Sequence, residues 1–191
     1  MLNNYKNYLN TMKNIADNLV VFDRNGTKID VDDAFVRWCK ILSEIKSSER
    51  RKIAFIGNGG SAGIASHCAT DYSKNGNIRS LAFNDATTLT CLSNDYSYEE
   101  VFSKQIEYHG FENDLLVAIS SSGNSKNIIN ALEAAKRKKM ITITLSGFKK
   151  DNFLKKLGDM NFYINSMEYG FVEILHLTVI HTALDLFLER K

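Results

Sequence analysis

Serines crowd one ten-residue stretch of this chain, AISSSGNSKN over 118–127. Ser120, Ser121, Ser122 and Ser125 surround Gly123, after an apolar run and at the opening of a helical pattern. Free N–H groups at a helix N-terminus attract anions, and hydroxyls add donors without adding charge. A phosphate monoester suits such a set. Ordinary capping of the helix would occupy one serine and leave three unexplained. A second stretch, FIGNGGSAGIAS over 55–66, runs from a strand pattern through Gly57, Asn58, Gly59 and Gly60 to Ser61. Open α/β sheets bind ligands at such turns, at the carboxyl ends of their strands. The turn lacks the lysine of a nucleotide-binding P-loop and the glycine spacing of a dinucleotide fingerprint, so neither is favoured. A tight packing turn is the plainer alternative.

The titratable residues come in pairs. His67 and Asp71 stand at i and i+4, so they share one helix face. Glu173 and His181 are eight apart in the last helical pattern. At 100° per residue their directions differ by about 80°, so they line one side of that helix two turns apart. His176 points about 140° away from His181, and one site is not expected to use both. A single histidine is more often a core or surface group than a catalyst; the pairings carry the argument. Asn94 and Asp95, in LSNDYSYEE, read either as a polar loop between elements or as substrate contacts.

These residues need elements to hold them. Short apolar runs at 52–57, 80–84, 114–120, 140–147 and 160–165 predict strands, rich in β-branched and aromatic residues. Helical patterns lie between them at 61–74, 86–92 with 98–109, 124–138 and 151–157, and a long apolar helix closes the chain. Strands alternating with helices imply a parallel sheet covered on both faces. Two helices lead in, over 2–19 and 32–48, joined through the turn-rich DRNGTK. Their apolar stripes must pack on the sheet layer or on another subunit.

With 191 residues and 44% hydrophobic content, one substantial core is expected, in a single domain. The net charge of +2 is too balanced to suggest nucleic-acid binding, and KRKK at 136–139 reads as a solvated helix end. No uninterrupted apolar run reaches the ~18 residues of a membrane span, and the N-terminus lacks a signal-peptide core. Cys39, Cys68 and Cys91 are scattered and odd in number, as expected of buried thiols in a cytoplasmic protein.

Together GNGGSA, the helix carrying His67, SNDYSYEEVFSKQIE, ISSSGNSKNIINALEAAKRKKM, ITLSG and VEILHLTVIH resemble the sugar isomerase (SIS) domain family. Within it, their order is similar to the phosphoheptose isomerases, over almost the whole chain. The resemblance implies a flavodoxin-like α/β fold, with a five-stranded parallel sheet flanked by helices and an N-terminal helical extension. Residues 1–191 would form one SIS domain, its leading helices (1–48) packed on the core or a neighbouring subunit. The implied activity is aldose–ketose isomerisation of sedoheptulose 7-phosphate through an enediol, feeding lipopolysaccharide or capsule heptose. Other phosphosugars, or a non-catalytic tetrameric binding platform, are the alternatives.

Carried over by position, Asn58, Gly59, Gly60, Ser61, Asp95, Ser120, Ser121, Ser122, Ser125 and Glu173 would bind substrate. Asp71 would move the carbon proton and His181 the oxygen proton. His67, Asp71, Glu173 and His181 would hold one zinc ion. The family forms homotetramers with sites built between subunits. Departures are also visible. Asp71 stands where the family has glutamate, Glu173 where it has glutamine, and Gly170 where it has aspartate. A family arginine has no counterpart beyond the nearby Lys74 and Arg79.

Overall fold

The computed structural model describes residues 4–189. In chain order the elements are α1 (Tyr5–Asp17), β1 (Val20–Asp23), β2 (Lys28–Ile29), α2 (Val31–Lys46), β3 (Ile53–Gly57), α3 (Gly60–Lys74) and β4 (Ser80–Ala82). There follow α4 (Ala86–Asp95), α5 (Val101–His109), β5 (Leu115–Ser120), α6 (Lys126–Arg137), β6 (Ile141–Ser146), β7 (Met160–Tyr163) and α7 (Tyr169–Glu189). Short 3-10 turns occupy Tyr98–Glu100 and Phe153–Lys156. The expected first helix reaches Leu2 and the last Arg190, and both residues lie outside the described ones.

One sheet runs in the order β2-β1-β7-β6-β5-β3-β4. From β7 to β4 all neighbours are parallel. Leaving β3, the chain crosses first to β4 on one side and later to β5 on the other. This is the flavodoxin-like order, and its switch point lies between β3 and β5. Both strands are buried along their whole length, as expected of strands covered on two faces. On one face α2, α3 and α7 bury Trp38, Phe35 and Tyr72 against the sheet; Trp38 and Phe35 each stack near Phe162, at 5.3 and 5.4 Å. On the other, α4, α5 and α6 bury Phe102, Ile106 and Leu132.

The sheet has seven strands, not five. The sequence DRNGTK is the tip of a hairpin rather than a linker between helices. The Asp23 N–H donates to the Thr27 carbonyl across it, the Thr27 N–H donates back to Asp23 Oδ1, and Gly26 closes the turn in the left-handed region at φ 77. β1 then pairs antiparallel with β7, Val21 opposite Phe162. Its four residues are too few to compete with the longer helical periodicities on either side. The α4 helix also runs past 92 to Asp95, so Asn94 and Asp95 sit in its last turn and not in a loop.

The leading helices pack on this same chain. Asp30 caps α2 by accepting from the backbone N–H groups of Asp32 and Asp33. Met12, Ile15 and Leu19, on and just after α1, pack against Ile164, Val172 and Leu175. Tyr8 lies 4.5 Å from the Phe171 ring. By length and composition α7 could cross a membrane, but half of its most apolar window is buried inside the protein. It is the helix on which the other layers close.

Burying α7 also buries His176, which is 0% exposed. Burial pushes its pKa down to about 4, opposed only in part by the Ser146 backbone. The unfolded chain therefore binds this proton from about pH 6.5 downward while the folded protein does not. Stability from this group is complete above pH 6.5 and falls by about 3 kcal/mol as pH drops toward 4. His176→Leu is expected to flatten that part of the profile. Urea unfolding of both proteins across pH 4–7 measures it; equal slopes would place the dependence elsewhere.

Candidate functional site

At the switch point the loops after β3 and β5 open a cavity of about 260 Å³. Asn58, Gly59, Gly60 and Ser61 form one wall, and Ser120, Ser121, Ser122 and Ser125 form the other. Tyr169 and Glu173, from the first turns of α7, close a third side. The hydroxyls turn inward. Ser120 Oγ lies 3.2 Å from Ser125 Oγ and 3.5 Å from Ser122 Oγ. Ser125 occupies the N-cap position of α6, yet its side chain makes no capping bond. Capping therefore does not explain this serine, and the first N–H groups of α6 stay available to a ligand. Ser121 Oγ is buried without a partner. Gly123 holds the turn at φ 65, and a Cβ there would fall on the Asn152 side chain. The arrangement offers several neutral donors at a helix start, where a phosphate group can bind.

Glu173 approaches the other wall closely. A Cβ on Gly60 would lie 2.6 Å from both of its carboxylate oxygens, so a side chain there would displace the Glu173 carboxylate from this position. Asn58 is fixed from behind. Its amide pairs reciprocally with Asn127, at 2.9 Å in each direction, and Tyr98 donates to Asn58 Oδ1 at 2.9 Å. No spacing rule singles out Tyr98 or Asn127; both sit inside motifs read for other residues.

Farther along α3, three groups meet. His67 Nε2 is 3.2 Å from His181 Nε2 and 3.2 Å from Asp71 Oδ2. His181 Nε2 is 3.9 Å from the same carboxylate oxygen. The helices are tied beside them by Tyr72, whose buried hydroxyl donates to the Ile180 carbonyl at 2.8 Å. Asp71 and His181 thus flank the two ends of one interhelical bond. Ligands of a tetrahedral zinc-type ion bound at 2.0–2.1 Å lie roughly 3.3 Å apart, close to this spacing. Two imidazole nitrogens and a carboxylate are also a common donor set for such ions.

Glu173 does not join the group, contrary to the expected four-ligand set: among the described residues, His67, Asp71 and His181 are the ones whose ligand atoms lie within 4.8 Å of one another. Eight residues place it about 12 Å along α7 from His181, level with Gly60 instead. Asp95 is not among the residues lining the cavity. It is exposed at the end of α4, where it accepts from Asn94 at 3.0 Å and from the Cys91 thiol at 3.5 Å.

Residues 40–147 match the SIS domain family model. The phosphoheptose isomerase of Helicobacter pylori (strain HPAG1) is 39% identical over 140 residues, covering 70% of this chain and 72% of its own length. The structure of phosphoheptose isomerase GmhA from Neisseria gonorrhoeae superposes with a TM-score of 0.79 at 28% identity, over 93% of this chain and 91% of that one. A phosphoheptose isomerase from Francisella tularensis shares the fold, with a TM-score of 0.81 at 24% identity over 100% of this chain and 97% of that one. Sequence, fold and the order of the site motifs agree: the chain belongs to the SIS domain family and, within it, to the phosphoheptose isomerases.

Proposed function

We propose that this protein is an aldose–ketose isomerase that converts sedoheptulose 7-phosphate into D-glycero-D-manno-heptose 7-phosphate. One observation carries the reading: the serine-lined cavity borders the first turns of α3 and α7, and the same two helices carry the His67–Asp71–His181 group farther along. The seven residues from Gly60 to His67 correspond to about 10 Å of α3. In the heptose the phosphate and the reacting C1–C2 pair are likewise at opposite ends of the chain. The names of the relatives point to the same substrate class.

In this mechanism the serine loop and the α6 N-terminus hold the phosphate and set the distance to the reacting carbons. Asp71 takes a proton from C1 of the ketose, while His181 delivers one to the C2 oxygen, giving the enediol. Asp71 then returns its proton to C2, and His181 removes the proton from the C1 hydroxyl, leaving the aldose. Asp71 meets both rings through Oδ2, which leaves Oδ1 for the carbon proton. His67 orients the His181 ring through their shared contact. Asn58, Ser61 and Glu173 face the middle of the sugar. Zinc held by His67, Asp71 and His181 would supply Lewis-acid polarisation of the substrate carbonyl.

The product would enter heptose assembly for lipopolysaccharide or capsule, in the cytoplasm. The proposed assembly is a homotetramer, with neighbouring chains completing each site. Tyr96, Tyr98, Tyr108, Phe111 and Tyr169 are exposed large aromatics that such contacts would cover, and Asp95 would reach substrate only from a neighbour.

Asp71→Asn and His181→Ala are each expected to lower kcat by 10²–10⁴-fold with the fold intact. Ser122→Ala/Ser125→Ala should chiefly raise KM. Steady-state assays with sedoheptulose 7-phosphate read both, and wild-type turnover in either first variant would remove the assigned roles. Elemental analysis should find one divalent ion per chain, lost in His67→Ala and kept in Glu173→Gln. Light scattering should give a mass near four chains; a monomer would sink the shared-site model.

A further inference from the structure

At the antiparallel end of the sheet lies a second cavity, of about 320 Å³, which shares no lining residue with the serine pocket. Lys28 of β2, Lys150 of the loop after β6, and Lys155 of the second 3-10 turn surround it. Elsewhere the chain pairs many of its cations: Arg24 with Asp159, Lys52 with Asp114, Lys104 and Arg137 with Glu107. Among the described residues none of these three lysines forms an ion pair with a carboxylate. Like charges gathered around a concavity repel one another unless an anion sits among them.

The lysines are held in place. The Lys155 ammonium lies 4.1 Å from the Phe22 ring centre and 4.6 Å from that of Tyr163, and donates to the Lys150 carbonyl at 2.7 Å. The Tyr163 hydroxyl donates to the Phe148 carbonyl at 2.7 Å. Two bonds therefore tie down the loop that presents Lys150, and Phe148 within it keeps a left-handed backbone, φ 54. Burial, then Lys150 and Lys28, hold Lys155 below the usual lysine range, with Asp151 acting in the opposite sense. An ammonium in that position gains most from a bound anion.

We propose that this cavity is a second ligand site, separate from the isomerase pocket, which takes the phosphate or diphosphate group of a small metabolite. Lys155 covers the faces of Phe22 and Tyr163, so recognition rests on charge and not on stacking of a base. The site is a half-open concavity at one end of the sheet in a chain of net charge only +2, which favours a compact anion over a nucleic-acid strand.

Calorimetric titration of the full chain with inorganic pyrophosphate, in 150 mM NaCl, tests this. Two ions should bind per chain, one at the serine loop and one here. Lys28→Ala/Lys150→Ala/Lys155→Met should bind one, with unchanged isomerase KM. Methionine keeps the apolar stem against the rings. If the triple variant misfolds, Lys28→Ala/Lys150→Ala, at two exposed positions, should still weaken the second event at least tenfold. A single event in the wild type that persists in the triple variant, or equal stoichiometry and affinity in wild type and variants, would overturn the proposal; a single event lost in the variant would instead count against the serine loop.

Discussion

The bond from the Tyr72 hydroxyl to the Ile180 carbonyl lies inside the contact between α3 and α7, where water cannot compete for it. A buried tyrosine hydroxyl without a partner is costly, so the two helices are locked to a single offset. Each partner is the sequence neighbour of a member of the His67–Asp71–His181 group, Asp71 on one helix and His181 on the other. The offset that satisfies the hydroxyl is thus the offset that brings carboxylate and imidazole together. Burial raises the Tyr72 pKa well above its ordinary value, so the hydroxyl remains a donor throughout the physiological range.

The same economy appears at the serine loop. Ser125 forgoes the capping bond that its position invites, and α6 begins without a side-chain cap. Its hydroxyl faces Ser120 instead. Helix stability is given up locally for a set of oriented dipoles, and the cost is met by the well-buried face of α6, where Ile128, Ala131 and Leu132 pack on the sheet. The reciprocal amide pair of Asn58 and Asn127 braces the two loops against each other across the cavity.

Much of this was legible in the residues alone. Helical periodicity put His67 beside Asp71 and separated His176 from His181, and the structure places them so. The five parallel strands followed from apolar runs alternating with amphipathic stretches. Periodicity, however, reports direction around one helix and not the offset between two. Glu173 points to the correct side of α7 but stands two turns from the histidines. The four-residue strand β1 carried too little pattern to be seen. Asp95 has a polar neighbourhood that suits a loop equally well, and only the backbone shows the helix continuing through it. Tyr98 and Asn127 act through tertiary contacts, which no local spacing encodes.

The unrecognised hairpin has a consequence for the protein as a solute. A parallel sheet ending at β7 would present a buried-type strand, with its backbone groups open, to any other chain. β1 covers that edge in the opposite direction, and the final strand beyond it, β2, has only two residues, one of them an exposed lysine. At the far side β4 has three residues. Neither border is long or flat enough to template another strand, so this sheet resists growth into fibrils even when crowded at high concentration.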